Sequence, residues 1–102
     1  MAAEMKALFV IVNAGFSDQI IEVAQNLGAR GATIIPARGT GQKFVKVLGI
    51  HYEPEREILL SVVPHDVAIN IATKVKEKYG KATPTNGLAF ILPVADYTFK
   101  DQ

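Results

Sequence analysis

The sequence predicts an α+β fold of β-α-β-β-α-β order, with a four-stranded antiparallel sheet carrying two helices on one face. Two observations predict it. Residues 7–12, 58–63 and 88–92 are apolar at nearly every position and rich in β-branched and aromatic residues, as in strands covered on both faces. Between these runs lie two segments whose apolar residues recur at helical spacing, and right-handed crossovers put both helices on the same side of the sheet.

The first strand, residues 7–12, is closed by Asn13, Ala14 and Gly15. Ser17 then suits an N-cap and Asp18 a first turn, and Ile20, Ala24 and Leu27 share a helix face before Gly28 and Gly31 stop it. A short second strand covers residues 32–36, with Pro36 at one end, since proline cannot donate to a ladder and prefers an edge or a terminus. Residues 39–56 interrupt the pattern with Gly39, Gly41, Gly49 and intruding charges, and Val45, Val47 and Leu48 suffice only for a short ribbon. Residues 58–63 supply the third strand. Pro64, His65 and Asp66 open a second helix carrying Ala68, Ile71, Ala72 and Val75 at i, i+3, i+4 and i+7. Lys74, Lys76 and Lys78 sit toward its negative end and Gly80 breaks it. A turn-rich loop, residues 81–87, with Pro84 and Asn86 leads to the fourth strand at 88–92. The order is the split βαβ duplication of ferredoxin-like folds, and 102 residues suit one domain spanning 1–102.

Composition narrows the function. Hydrophobic residues make up 49% of the chain and charged residues 21%, enough apolar surface to exclude a largely disordered protein. A net charge of +1 with no basic block leaves no nucleic-acid footprint. No cysteine is present, which removes disulfides and thiolate metal sites. The longest apolar run, residues 7–12, is far short of the roughly 20 residues that span a bilayer, so no membrane insertion is expected. Residues 1–6 lack a signal-peptide pattern, and a cytoplasmic protein is expected. The helices cover one face of a sheet whose strands are apolar on both, so self-association is the economical cover.

Chemistry-bearing residues gather in two loops. In Arg38-Gly39-Thr40-Gly41-Gln42-Lys43 two glycines stand between cations, so backbone N–H groups can turn toward an anion such as phosphate. The same glycines also serve as plain turn formers. Residues 81–87 offer hydroxyls, an amide and the Gly87 N–H to a second part of the same ligand, or form an ordinary helix-to-strand turn. His51 and His65, with Glu53 and Asp66 nearby, do not reach the three or four converging ligands a metal needs. No nucleophile, base and orienter set is recognisable, which disfavours an enzyme. Tyr52 and Tyr79 fit simple packing, and Lys74, Lys76, Lys78 and Lys81 fit a solvated helix end.

Taken in order, Gly31-Ala32-Thr33, Arg38-Gly39-Thr40-Gly41-Gln42 opening a long loop, and Asn86-Gly87 before 88–94 resemble the PII nitrogen-regulator superfamily over nearly the whole chain. The likeness is to a divergent PII-like member with a shortened T-loop. It implies a homotrimer with sheets facing the axis and an adenine nucleotide, ADP or ATP, in the clefts between subunits, with Mg²⁺ allowed beside it. It also implies a T-loop at about 39–56 that docks on a protein target such as a transporter or metabolic enzyme, and a B-loop at about 81–87. By position Ile11, Thr33, Gly39, Gly41, Gln42 and Val62 match nucleotide contacts, and Thr85, Asn86 and Gly87 match the B-loop.

Three departures bear on the phosphates. Gln42 follows Gly41 directly, so Arg38 and Lys43 are the cations flanking that turn. Leu88 stands where the family has a lysine, and Phe99 and Asp101 where it has arginines, leaving Lys100. Each missing cation removes a charge-assisted bond, which weakens a triphosphate more than a diphosphate. Tyr52 lies within the loop without matching the family's modified tyrosine, and sensing 2-oxoglutarate would need Gln42 with a loop cation. The alternative class is an ACT-like amino-acid-sensing module, which shares the element order but wants a short hairpin where this chain has a long link.

Overall fold

The structure, a computed structural model, describes residues 4–38, 45–47, 50–52 and 55–98. Its elements are β1 (Met5–Asn13), α1 (Ser17–Asn26), β2 (Thr33–Arg38), β3 (Val45–Val47), β4 (Ile50–Tyr52), β5 (Glu55–Pro64), α2 (His65–Lys78) and β6 (Leu88–Pro93). The main sheet runs β2-β5-β1-β6 with every neighbour antiparallel, as a ferredoxin-like α+β fold requires. β3 and β4 pair only with each other, Val45 opposite Tyr52.

The period-2 pleat sorts the side chains. Leu8, Val10 and Val12 of β1 and Leu59 and Val63 of β5 turn to one face and are buried. Against them pack Ile20 and Ala24 of α1 and Ala68, Ile71 and Val75 of α2, forming one core. The i, i+3, i+7 spacing in α2 is thus the stripe that faces the sheet. Ser61 also sits on this face, where its hydroxyl donates to the Gly31 carbonyl at 2.7 Å.

The opposite face is also apolar. Register places Ala7, Phe9 and Ile11 beside Ile58, Leu60 and Val62, with Thr33, Ile35 and Ala37 on one flank and Leu88, Phe90 and Leu92 on the other. Phe9 and Phe90 stack directly across the strands, centroids 5.0 Å apart and planes 5° from parallel. Among the described residues nothing covers this face, and Leu88 is 59% and Leu92 46% exposed.

Three expectations are corrected. Ser17 is not the N-cap: Phe16 holds that position without a side-chain cap, and Ser17 is buried as the first helical residue. The chain reaches Phe16 through a turn in which Gly15 has φ +95° and the Phe16 N–H donates to the Asn13 carbonyl, which sets the helix start one residue early. The second strand runs on to Arg38 and does not end at Pro36, which lies inside β2 and takes the edge position that suits a residue without an N–H. The third strand begins at Glu55 and not near residue 58, so the link from β2 spans residues 39–54, and the short ribbon expected in it is the β3–β4 hairpin.

Candidate functional site

The loop before β6 is built from nested turns. Past the C-cap Tyr79, the Thr83 N–H and hydroxyl both donate to the Gly80 carbonyl, at 3.0 and 2.8 Å. The Asn86 N–H donates to the Thr83 carbonyl at 3.0 Å and the Gly87 N–H to the Tyr79 carbonyl at 2.7 Å. Asn86 adopts φ +50°, a left-handed conformation that asparagine accepts more readily than most residues. Gly87 is required by space: a Cβ there would lie 2.7 Å from the Tyr79 carbonyl oxygen and 2.9 Å from Val75 Cγ1.

This loop is fastened to the end of the sheet. The Asn13 side chain donates from Nδ2 to the Pro84 carbonyl at 2.9 Å, and its backbone N–H donates to the Thr85 carbonyl at 2.9 Å. Directly opposite Asn13 in the ladder is Arg56. With the Asn86 amide oxygen turned toward it, Arg56 donates from Nη1 at 2.8 Å and Nη2 at 3.2 Å. The Ala14 N–H donates to the Glu55 carbonyl at 3.1 Å and the Gly15 N–H to Glu57 Oε1 at 3.0 Å. The end of β1, the start of β5 and the loop before β6 therefore form one hydrogen-bonded corner.

The candidate residues fall into separate places. Thr33 and Val62 line one cleft of about 420 Å³ with Arg30, Gly31 and Leu60. Arg38 lines another, about 400 Å³, with Ala14, Glu55, Arg56 and Glu57, so two cations and two carboxylates share it. Gly87 lines a third, about 630 Å³, between α2 and β6, with Lys76, Glu77 and Lys81 among its walls. Ile11 lies on the open face opposite Ile58 and Leu88. Thr33 and Arg38 stand at opposite ends of β2, about 17 Å apart at the rise of an antiparallel strand. Gly39, Gly41, Gln42, Lys43 and Lys100, and the side chains of His51 and Tyr52, lie outside the described residues.

Within the chain some of the loop's donors are already engaged. The Gly87 N–H is engaged by Tyr79, the Thr83 hydroxyl by Gly80, and Thr85 is only 3% exposed. Reading the sequence missed Asn13, Arg56 and Glu57 as parts of this corner. Their signal was faint, a polar residue closing one apolar run and a charged pair opening another.

No curated protein matches the chain. A PII-like signalling protein from Thermus thermophilus is 25% identical with a TM-score of 0.70, covering 90% of this chain and 88% of its own. CPII, a nitrogen regulatory PII-like protein from Thiomonas intermedia bound to ADP, AMP and bicarbonate, shares the fold at TM-score 0.67 and 16% identity, covering 88% and 89%. GlnK of B. subtilis in complex with ATP does so at TM-score 0.69 and 14% identity, covering 92% and 87%. The family model for nitrogen regulatory protein P-II matches residues 5–99, so the chain belongs to the nitrogen regulatory protein P-II family.

Proposed function

We propose that the chain is a non-enzymatic signalling protein that forms a homotrimer, holds ADP or ATP between subunits, and reports occupancy to a protein target. That target, a transporter or a metabolic enzyme, would read the T-loop, here the segment 39–54 with its β3–β4 hairpin. Family membership supports a signalling role, and the nucleotides bound by CPII and by GlnK support the ligand class. The exposed apolar face bearing Phe90, Leu88 and Leu92 supports assembly, because monomers rarely leave so continuous a patch in water.

The single observation that carries the reading is the separation of the candidate residues. Thr33 and Val62 stand at one end of the sheet, Arg38 and Asn86 at the other, and the cleft that Thr33 and Val62 line shares no residue with the cleft that Arg38 lines. A ligand that meets both sets must bridge two copies. Within that junction Ile11, Thr33 and Val62 would take the base. Arg38 and Asn86, with Gly39, Gly41, Gln42, Lys43 and Lys100 from outside the described residues, would take the ribose and phosphates, and Gly87 would keep the loop in the shape that presents Asn86. Signalling then needs only that nucleotide bind one arrangement of the 39–54 segment better than another.

A thermal-shift series with ATP, ADP, AMP, cyclic AMP and cyclic di-AMP, each with and without Mg²⁺, tests this. A ligand at 100 times Kd adds about 2.7 kcal/mol to the folded state, a clear rise in melting temperature. ADP or ATP should give the largest rise. No rise with any of them refutes the nucleotide reading.

A further inference from the structure

We propose that Arg56 is a positioning residue whose guanidinium joins the loop before β6 to the root of the 39–54 segment, so that the two move as one unit. Arg56 is the second residue of β5, next to the point where the chain returns from that segment. Its two terminal nitrogens close on the Asn86 side-chain oxygen at 2.8 and 3.2 Å. Asn86 is the residue of the loop that holds a left-handed backbone, at φ +50°. A fork of two N–H groups on one amide oxygen fixes orientation as well as distance, which a single ammonium donor cannot do.

The neighbouring bonds make the joint directional. Asn13 faces Arg56 across the ladder and carries Pro84 and Thr85 through its side chain and its N–H. Ala14 in turn donates to Glu55, the residue before Arg56. Shifting Asn86 therefore pulls on Arg56, and shifting the start of β5 pulls on Asn86, as reciprocal coupling requires. The joint deepens the nucleotide reading and rests on it only for what moves the loop. The bond itself exists in the free chain.

Amide hydrogen exchange on the full-length protein tests both parts. The Gly87 and Asn13 amides report the loop and the Ala14 amide reports the root, while the Val10 and Leu59 amides report the fold. Without nucleotide, Arg56→Ala should lower protection at Gly87, Asn13 and Ala14 about tenfold and leave Val10 and Leu59 unchanged. Arg56→Lys should restore part of the loss. Asn86→Asp should raise protection in the presence of Arg56, by putting a negative charge on the acceptor of the guanidinium and making the contact an ion pair, and have no such effect in the Arg56→Ala background.

If Arg56→Ala leaves the loop and root amides unchanged, or if the Asn86→Asp effect is the same with and without Arg56, the proposal is overturned. With saturating ADP, Ala14 protection should change in the wild type and not in Arg56→Ala. ADP that binds both proteins and shifts Ala14 equally also overturns it. ADP that binds neither refutes the nucleotide reading, and the exchange measured without ligand still decides the joint.

Discussion

Replacing Gly87 with alanine tests the account of the loop before β6 at its tightest point. Among the described residues the glycines with positive φ are Gly15 and Gly28, so alanine at 87 meets no backbone penalty and the cost is steric. The added Cβ would stand 2.7 Å from the Tyr79 carbonyl oxygen and 2.9 Å from Val75 Cγ1. The oxygen is backbone at the helix end and cannot swing away. Overpacking of this kind costs about 1–3 kcal/mol. Weakening the 2.7 Å bond from the Gly87 N–H to Tyr79 adds about 1 kcal/mol. Lower entropy of the unfolded chain returns about 0.4–1 kcal/mol. The net loss is about 2 kcal/mol. Urea unfolding at one fixed protomer concentration reads it, with Gly31→Ala as the control, since a Cβ at 31 meets nothing within 4 Å. Gly31→Ala should be neutral or slightly stabilising. Equal midpoints for both variants would refute the packing described for Gly87.

Other consequences follow from the same geometry. Phe90→Asp places a carboxylate on the open face beside Phe9, and sedimentation should show the assembly dissociating; an unchanged sedimentation coefficient would mean that another surface joins the copies. Ser61→Ala removes the donor to the Gly31 carbonyl and should cost about 1–2 kcal/mol in urea unfolding, with no change if that carbonyl finds water instead. Lys6 holds the Glu4 carboxyl below its ordinary 4.5, first through a hydrogen bond and then by charge, with Nζ 3.0 Å from Oε2. The folded form is therefore favoured by the ionised carboxylate above the unfolded value, and that preference disappears as pH falls through the depressed one. Titration followed by NMR should show the Glu4 pKa rising in Lys6→Ala.

Periodicity made the sheet and helices legible because it records burial. The apolar runs at 7–12 and 58–63 fall inside β1 and β5, and Ala68, Ile71 and Val75 are the buried stripe of α2. The apolar character of both sheet faces was legible for the same reason, since Phe9, Leu60 and Phe90 interrupt any polar alternation. Pro36 was legible as a residue for an edge or a terminus, but which of the two it takes depends on the assembled sheet, where β2 is an edge and runs on to Arg38. Ser17 has the chemistry of an N-cap, but the Gly15 turn carries the chain into the helix at Phe16.

The corner around Asn86 was not legible at all. Asn13 and Pro84 are 71 positions apart, and Gly15 and Glu57 are 42 apart. Each residue looked like a turn former or a solvated charge until the ladder set them opposite one another. Gly39 and Gly41 lie outside the described residues, and their reading as an anion site rests on the sequence alone, two glycines between cations.

Native mass spectrometry of the full-length chain with ADP tests the central claim most directly, because it counts copies and ligands in the same particle. The account predicts a species of three times 11.0 kDa carrying up to three nucleotides, with nucleotide lost when the particle dissociates. A single chain that keeps ADP would contradict a site shared between copies, and a trimer that takes none would contradict the ligand.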